Sequence, residues 1–319
     1  MIFVAEIGSN WNTLNDCLTS IEKAKESKAT VVKFQLFTPQ DLMGPQHQND
    51  VFKPGQSPYL DPAWIPALAN KAKEVGIEFM CTAFSPDGYR YVNEYVNIHK
   101  VASAEMTDTT ILAIVNSFKK PVFISTAGSS LDEIAKAVDR LCDCPVTIMF
   151  CVGDYPARVV DFKHMEKLKD RFNNRYMYGY SDHSTDVLNI PKMAVYYGAT
   201  VIEKHVSFIA SRQTNDAAHS INGEEFKLMV ASCLGELDHD KTSEVMNKSM
   251  RTHWKRKFVA IRDIGEGDRL MIGVNYGIYR PMQYAYNAVS TFWDRPLTGQ
   301  IAIKPIKAGS VITYDDLVE

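Results

Sequence analysis

The chain has 319 residues, with 35 Lys+Arg against 38 Asp+Glu and a net charge of −3. A near-neutral balance with no basic run argues against a nucleic-acid-binding face, and no apolar run reaches the ~18 residues that cross a bilayer. With 45% hydrophobic and 23% charged residues, it is a globular chain rather than a disordered one, long enough for two domains. The opening MIFVAEIGSN has no basic stretch and carries Glu6, so it reads as a first strand rather than a secretory signal, and a cytoplasmic location is expected. Six cysteines form no CxxC pair, which favours reduced, buried thiols.

In chain order, β-rich apolar runs occur at 2–8, 30–35, 78–84, 99–103, 121–126, 146–152, 176–182 and 201–207. Each has the composition of a parallel strand buried on both faces. Between them, helical spacing predicts helices at Leu14–Lys28, Ala63–Val75, Asp87–Tyr95, Thr110–Phe118, Leu131–Leu141, Phe162–Phe172 and Leu188–Tyr197, with Asp108 and Ser130 as N-caps. Eight alternating β/α units predict an α/β fold of the (β/α)8 TIM-barrel type. The first βα turn, AEIGSNWN, lacks the GxGxxG of a doubly wound nucleotide-binding sheet. The polar, proline-rich stretch 36–61 follows strand two and is read either as a lid or as an insertion. A helix is predicted at Gly223–Leu237, then a charged stretch without apolar period. The expected division is a barrel over 1–240, a linker over 241–257 and a small β-rich domain over 258–319. Within that last domain FVAIRDIGEGDRL and IAIKPIKAGSVITYDDL form a weak internal repeat.

Barrel chemistry sits at the C-terminal ends of the strands. There the sequence places Glu6, Lys33, Gln35, Thr82, Lys100, Ser103, Glu105, Ser125, Tyr155, Ser181, Asp182, His183, Glu203, Lys204 and His205. Charges inside apolar strands are costly unless paired, so their recurrence at one end points to function. His183 and His205 are one βα unit apart, on neighbouring strand ends, and could share a divalent ion while leaving positions open for substrate. Lys33 and Lys100 with the surrounding hydroxyls suit a small, multiply anionic ligand.

The pieces AEIGSNWN, VVKFQ, CTAFS, KVASAE, PVFISTAG, FCVGDYPA, GYSDHS and GATVIEKHVS resemble, in order, the phosphoenolpyruvate-condensing sialic acid synthase family, which includes the N-acetylneuraminate, legionaminic, pseudaminic and spore-coat sugar synthases. The tail, with VAIRDIGEGDRL and Arg280-Pro281, resembles that family's antifreeze-like (SAF) domain. The resemblance implies a metal-dependent condensation of phosphoenolpyruvate with an N-acyl-mannosamine-type sugar. It implies Mn2+ (or Mg2+ or Co2+) at His183 and His205. Phosphoenolpyruvate would lie at Lys33, Thr82, Lys100, Ser103, Ser125, Tyr155 and Ser181. The acceptor would meet Glu6, Gln35, Glu105, Tyr155, Glu203, Asp216 and Arg280, with Lys33, Gln35, Glu105 and Asp216 as catalytic candidates. It further implies a domain-swapped homodimer in which Arg280 reaches a partner's barrel.

The chain departs from the family pattern at Gly153-Asp154, at Ala127, in the loop TNDAAHSI around Asn215 and at Met282. Most of these fall where the acceptor would bind, which points to the same reaction on a different sugar. The alternatives are another metal-dependent barrel aldolase or isomerase, a synthase using a phosphorylated or diamino sugar, and a carbohydrate-binding module on a degenerate barrel.

Overall fold

The computed structural model describes residues 1–43, 59–208, 216–236, 257–279 and 297–317. The chain divides into two compact units, the first carrying Met1–Ile209 and Thr214–Leu237 and the second the C-terminal residues Asp238–Glu319.

The first unit contains eight parallel strands: β1 Ile2–Gly8, β2 Val31–Leu36, β3 Glu78–Ala83, β4 His99–Val101, β5 Val122–Ser125, β6 Val146–Cys151, β7 Met177–Asp182 and β8 Val201–His205. Their order is β3-β2-β1-β8-β7-β6-β5-β4, and β3 and β4 lie side by side to bring the sheet round into a barrel. Helices separate the strands: α1 Leu14–Glu26, α2 Pro39–Met43, α3 Ile65–Val75, α4 Pro86–Val92, α5 Thr109–Ser117, α6 Leu131–Arg140, α7 Lys163–Arg171, α8 Asn189–Tyr196 and α9 Gly223–Leu234. Thr13 and Ser130 form capping boxes on α1 and α6, and the Asp108 carboxylate caps α5, so these three helices start where a side-chain oxygen accepts from a free N–H of the first turn. The predicted helices are present with ends moved by a few residues; α2 was not predicted, because five residues are too few to show a period.

Residues 44–58 of the stretch read as a lid, most of the 241–257 linker, Asn215, Arg280 and Met282 lie outside the described residues. The ends of the 36–61 stretch return to the barrel, where Phe37 packs edge-on against Tyr59 and Phe84 at 5.7 and 5.3 Å.

The barrel floor is an apolar layer of Val4, Val31, Met80, Phe123, Met149 and Val201, with Ile2 and Ile98 against it. A side chain added at Gly179 would collide with Met149, so glycine on β7 makes room for that layer. Side chains alternate across a strand, so two residues beyond each floor position the chain again faces inward. Those next positions are Glu6, Lys33, Thr82, Lys100, Ser125, Cys151, Ser181 and Glu203. The apolar floor thus fixes which polar residues line the mouth.

In the second unit β9, Lys257–Ala260, pairs antiparallel with β10, Tyr276–Tyr279. Phe258, Leu270, Tyr276, Leu297, Ala302, Ile306 and Ile312 are in its core. The weak sequence repeat has a structural counterpart. The Ala260 N–H donates to the Ser310 carbonyl and the Ala302 N–H to the Asp268 carbonyl, while Ile264 and Ile306 exchange both backbone hydrogen bonds. The turn glycines Gly267 and Gly309 adopt φ of 85° and 83°. Each half is thus laid against the other about a local two-fold.

Candidate active site

At the barrel mouth lies a cavity of about 440 Å³. Lys33, Thr82, Lys100, Ser125, Cys151, Ser181 and Glu203 form its lower wall, and Gln35, Ser103, Glu105, Gly153, Tyr155, His183 and His205 its upper one. Of the sequence-derived site residues, Glu6 and Asp216 do not line it. Glu6 is fully buried behind Lys33, and Asp216 stands behind His205.

The lower wall is a network of buried charges. Lys33 Nζ lies 2.6 Å from Glu6 Oε2 and 3.4 Å from Glu203 Oε1, and its ammonium donates to Thr82 Oγ1 at 3.2 Å. Gln35 Nε2 donates to Glu6 Oε1 at 2.6 Å. Lys100 Nζ is 3.4 Å from Glu203 Oε1, which also accepts from Ser181 Oγ at 3.2 Å.

Burial opposes every one of these charges, and the pairing decides each outcome. For Glu203 burial pushes upward, but Lys100 and Lys33 together bring the carboxyl down to about 2. Burial pulls Lys33 downward, but Glu203 and Glu6 outweigh it and hold the ammonium above its ordinary value. For Lys100 burial wins, and the amine is lowered. Burial raises the Glu6 carboxyl against the pull of Lys33. The wall is therefore poised for an added anion. Lys100 is the less well-neutralised cation, and the hydroxyl of Ser125 has no hydrogen-bond partner among the described residues.

On the upper wall, Tyr155 follows a turn after β6 and stacks on His183 with ring centroids 3.9 Å apart. The Tyr155–Pro156 peptide is cis. His183 Nδ1 donates to the Val152 carbonyl at 2.7 Å, which places the ring proton there and leaves Nε2 as the nitrogen with a free lone pair. The two imidazoles expected as metal ligands lie 5.8 Å apart, centroid to centroid. Burial lowers both, His183 to about 4, so both are neutral near pH 7 and able to ligate. Ser103 Oγ accepts from the Ala127 N–H at 3.0 Å, tying the ends of β4 and β5 together. Glu105 is half-buried and burial raises its carboxyl.

The sequence reading missed two residues here. Cys151 lies in the lower wall, 3.8 Å from His183; the strand pattern held the signal, since Cys151 is two residues past Met149. His219 stands against His205, ring centroids 4.6 Å apart, in a single 3-10 turn, Ala217–His219. His205, Asp216 and His219 bring their ligating atoms within 4.8 Å of one another, an arrangement that can hold a metal ion.

Two other strand-end charges belong elsewhere. Lys204 and Asp182 alternate with inward residues and so point away from the cavity. They form a fully buried 2.6 Å ion pair beneath the helices, and Lys204 also donates to the Asp186 carbonyl. The cysteines divide too: all six are free, but Cys142 is exposed and Cys144 and Cys233 are only partly covered. No helix among the described residues is long and apolar enough to cross a membrane.

A parallel barrel with a cavity of paired lysines, hydroxyls and imidazoles at the C-terminal ends of its strands defines a (β/α)8-barrel enzyme. The chain belongs to the NeuB family, whose model matches residues 20–236. It is 29% identical to N,N'-diacetyllegionaminic acid synthase of Campylobacter jejuni, covering 98% of each chain. It is 27% identical to pseudaminic acid synthase of the same organism, covering 99% of this chain and 96% of that protein. Among solved structures, it is similar to N-acetylneuraminic acid (sialic acid) synthetase from Leptospira borgpetersenii, with 25% identity and a TM-score of 0.68 over 78% of this chain and 91% of that one.

Proposed function

We propose that the protein condenses phosphoenolpyruvate with the open-chain aldehyde of an N-acyl-mannosamine-type amino sugar. The products are a nine-carbon keto sugar acid and phosphate, released by C–O cleavage. The observation that carries this reading is the lower wall of the cavity: two buried lysines and a set of hydroxyls in a space sized for a small, multiply charged anion.

In this reading Lys33, Lys100, Thr82, Ser103, Ser125, Tyr155 and Ser181 bind the phosphate and carboxylate of phosphoenolpyruvate, and charge-assisted hydrogen bonds orient its C3 carbon. Glu203 keeps both ammonium groups charged and in place. Glu6 holds Lys33 and Gln35 from behind. Gln35, Tyr155 and Glu203 border the acceptor. Glu105, whose carboxyl burial raises, moves a proton at the acceptor oxygen or the attacking water. A divalent ion, Mn2+ with Mg2+ or Co2+ as substitutes, fits the neutral imidazoles of His183 and His205 and would supply Lewis-acid polarisation of the aldehyde.

A second acceptor, a 2,4-diamino sugar, is favoured by one observation. Gly153 and Ala127 leave this stretch of the upper wall without a bulky side chain: a methyl on Gly153 would only touch the Ala127 Cβ at 3.6 Å, so the wall presents backbone and one methyl to the acceptor. The relatives named for legionaminic and pseudaminic acids accord with it. The same reading takes the second unit as an antifreeze-like (SAF) domain. It also takes the chain as a domain-swapped homodimer with Arg280 at the partner's acceptor site, and the cytoplasm as its compartment, which the six free thiols suit.

The test mixes chelator-stripped protein with phosphoenolpyruvate and a panel of N-acetylmannosamine and diamino-hexose acceptors, with and without Mn2+. Phosphate release and product mass are followed. Metal-dependent phosphate with a nine-carbon keto acid is expected. Failure to bind phosphoenolpyruvate would overturn the reading.

A further inference from the structure

His205 Nδ1 and His219 Nε2 are both buried and, among the described residues, neither has a hydrogen-bond partner. Such orphaned imidazole nitrogens are uncommon, because burial strips water from a group that then gains nothing in return. Both face the same carboxylate, at 3.9 Å from His205 to Asp216 Oδ2 and 3.5 Å from His219 to Asp216 Oδ1. These separations are long for hydrogen bonds. They match those of donors sharing one ion, since ligand atoms each ~2.1 Å from a metal lie roughly 3–4 Å from one another.

The carboxylate is held for this purpose. The Ser9 N–H donates to Asp216 Oδ2 at 2.7 Å, and Ser220 Oγ donates to the Asp216 carbonyl at 2.7 Å. Gly8 has no side chain where that carboxylate stands. Burial keeps both imidazoles neutral, the ligating form.

We propose that His205, Asp216 and His219 form a three-ligand site for a divalent first-row transition ion. This set differs from the His183–His205 pair. It keeps His205 from that pair and extends it with Asp216 and an imidazole supplied by the TNDAAHSI loop in which the chain departs from the family pattern. Two imidazoles and one carboxylate leave further coordination positions open, and three protein ligands bind more tightly than two. The site's role, polarising the acceptor, rests on the synthase reading; its ligands do not.

The test titrates chelator-stripped full-length protein with Mn2+ and, separately, Co2+, using wild type, His219→Ala and His219→Gln. Phosphoenolpyruvate binding by calorimetry checks folding in each. Losing a ligand is expected to weaken Mn2+ binding about tenfold or more and to change the Co2+ absorption bands, with phosphoenolpyruvate affinity retained. In the unmutated protein, Mn2+ should broaden the ring resonances of His219 together with those of His205. Unchanged Mn2+ affinity and Co2+ bands in both His219 variants, with His219 unbroadened in wild type, would overturn the assignment and leave the synthase reading intact. Conversely, a His219-dependent metal site in a protein that binds no phosphoenolpyruvate would sustain the ligands and remove the synthase reading.

Discussion

Gly8 and Asp216 compete for one volume: a methyl on Gly8 would run into the Asp216 carboxylate, although 208 residues separate them in the chain. Gly8 also holds φ at +54°, a conformation that costs most other residues ~1–2 kcal/mol. Gly8→Ala is therefore expected to lower the melting temperature and to swing Asp216 off His205 and His219. Mn2+ titration of the folded variant should show weakened binding while phosphoenolpyruvate affinity persists. Unaltered metal binding would separate Gly8 from the site.

The two cavity lysines should fail in different ways. Lys33 neutralises fully buried Glu6, so Lys33→Met strands a charge and is expected to cost roughly 3–5 kcal/mol of folding stability. Lys100 faces the cavity with Glu203 alone, and Glu203 keeps Lys33 and Ser181 when it goes. Lys100→Met should fold but lose a charge-assisted contact of about 1.5–3 kcal/mol, roughly 10–100-fold in phosphoenolpyruvate affinity. Urea melts and calorimetry read the two effects separately, and equal behaviour of the variants would contradict the division.

Lys204 neighbours Glu203 and His205 in sequence yet serves the scaffold. Lys204→Met would leave Asp182 charged and buried, a loss of about 3–5 kcal/mol seen in chemical denaturation. Phosphoenolpyruvate affinity of the protein still folded should be unaffected; a selective loss of affinity would place Lys204 in the site.

His99 sets a pH response far from the metal site. Burial, with Lys120 adding to it, lowers the imidazole from 6.5 to about 4, and its Nε2 pairs with Asn93 Oδ1 at 3.0 Å. Because the unfolded chain takes up this proton first, stability is full above pH 6.5 and falls as the pH drops toward 4. The loss approaches ~3 kcal/mol at the lower end. His99→Phe should flatten this part of the stability–pH curve measured by urea melts. An unchanged slope would assign the acid sensitivity to other groups.

The barrel was legible because each strand is an apolar run that needs no partner to be recognised. The cavity was legible where charge interrupts such a run, as at Lys33 and Glu203. Reading strand ends without alternation grouped Lys204 and Asp182 with the polar residues at the barrel mouth, although no role in the site was assigned to either. The inward positions of Glu203 and His205 imply that Lys204 turns outward, so the information was present in the period of two. His219 had no such signal. It lies in a short turn after β8, and only the fold brings it to His205. The nearness of Gly8 to Asp216 is likewise invisible in sequence, because it is made by the barrel bringing β1 beside β8.

The two-fold exchange of backbone bonds in the second unit bears on how that unit assembles. Ala260 is satisfied by Ser310 and Ala302 by Asp268, so each half completes its partner's hydrogen bonding. A nascent chain carrying only the first half would present unmet donors and an exposed apolar face. The β9–β10 ladder can pair as soon as Tyr279 is made, but the half-to-half bonds cannot form until synthesis has run past Ile312, so the Ala260 and Ile264 amides become protected from exchange only then.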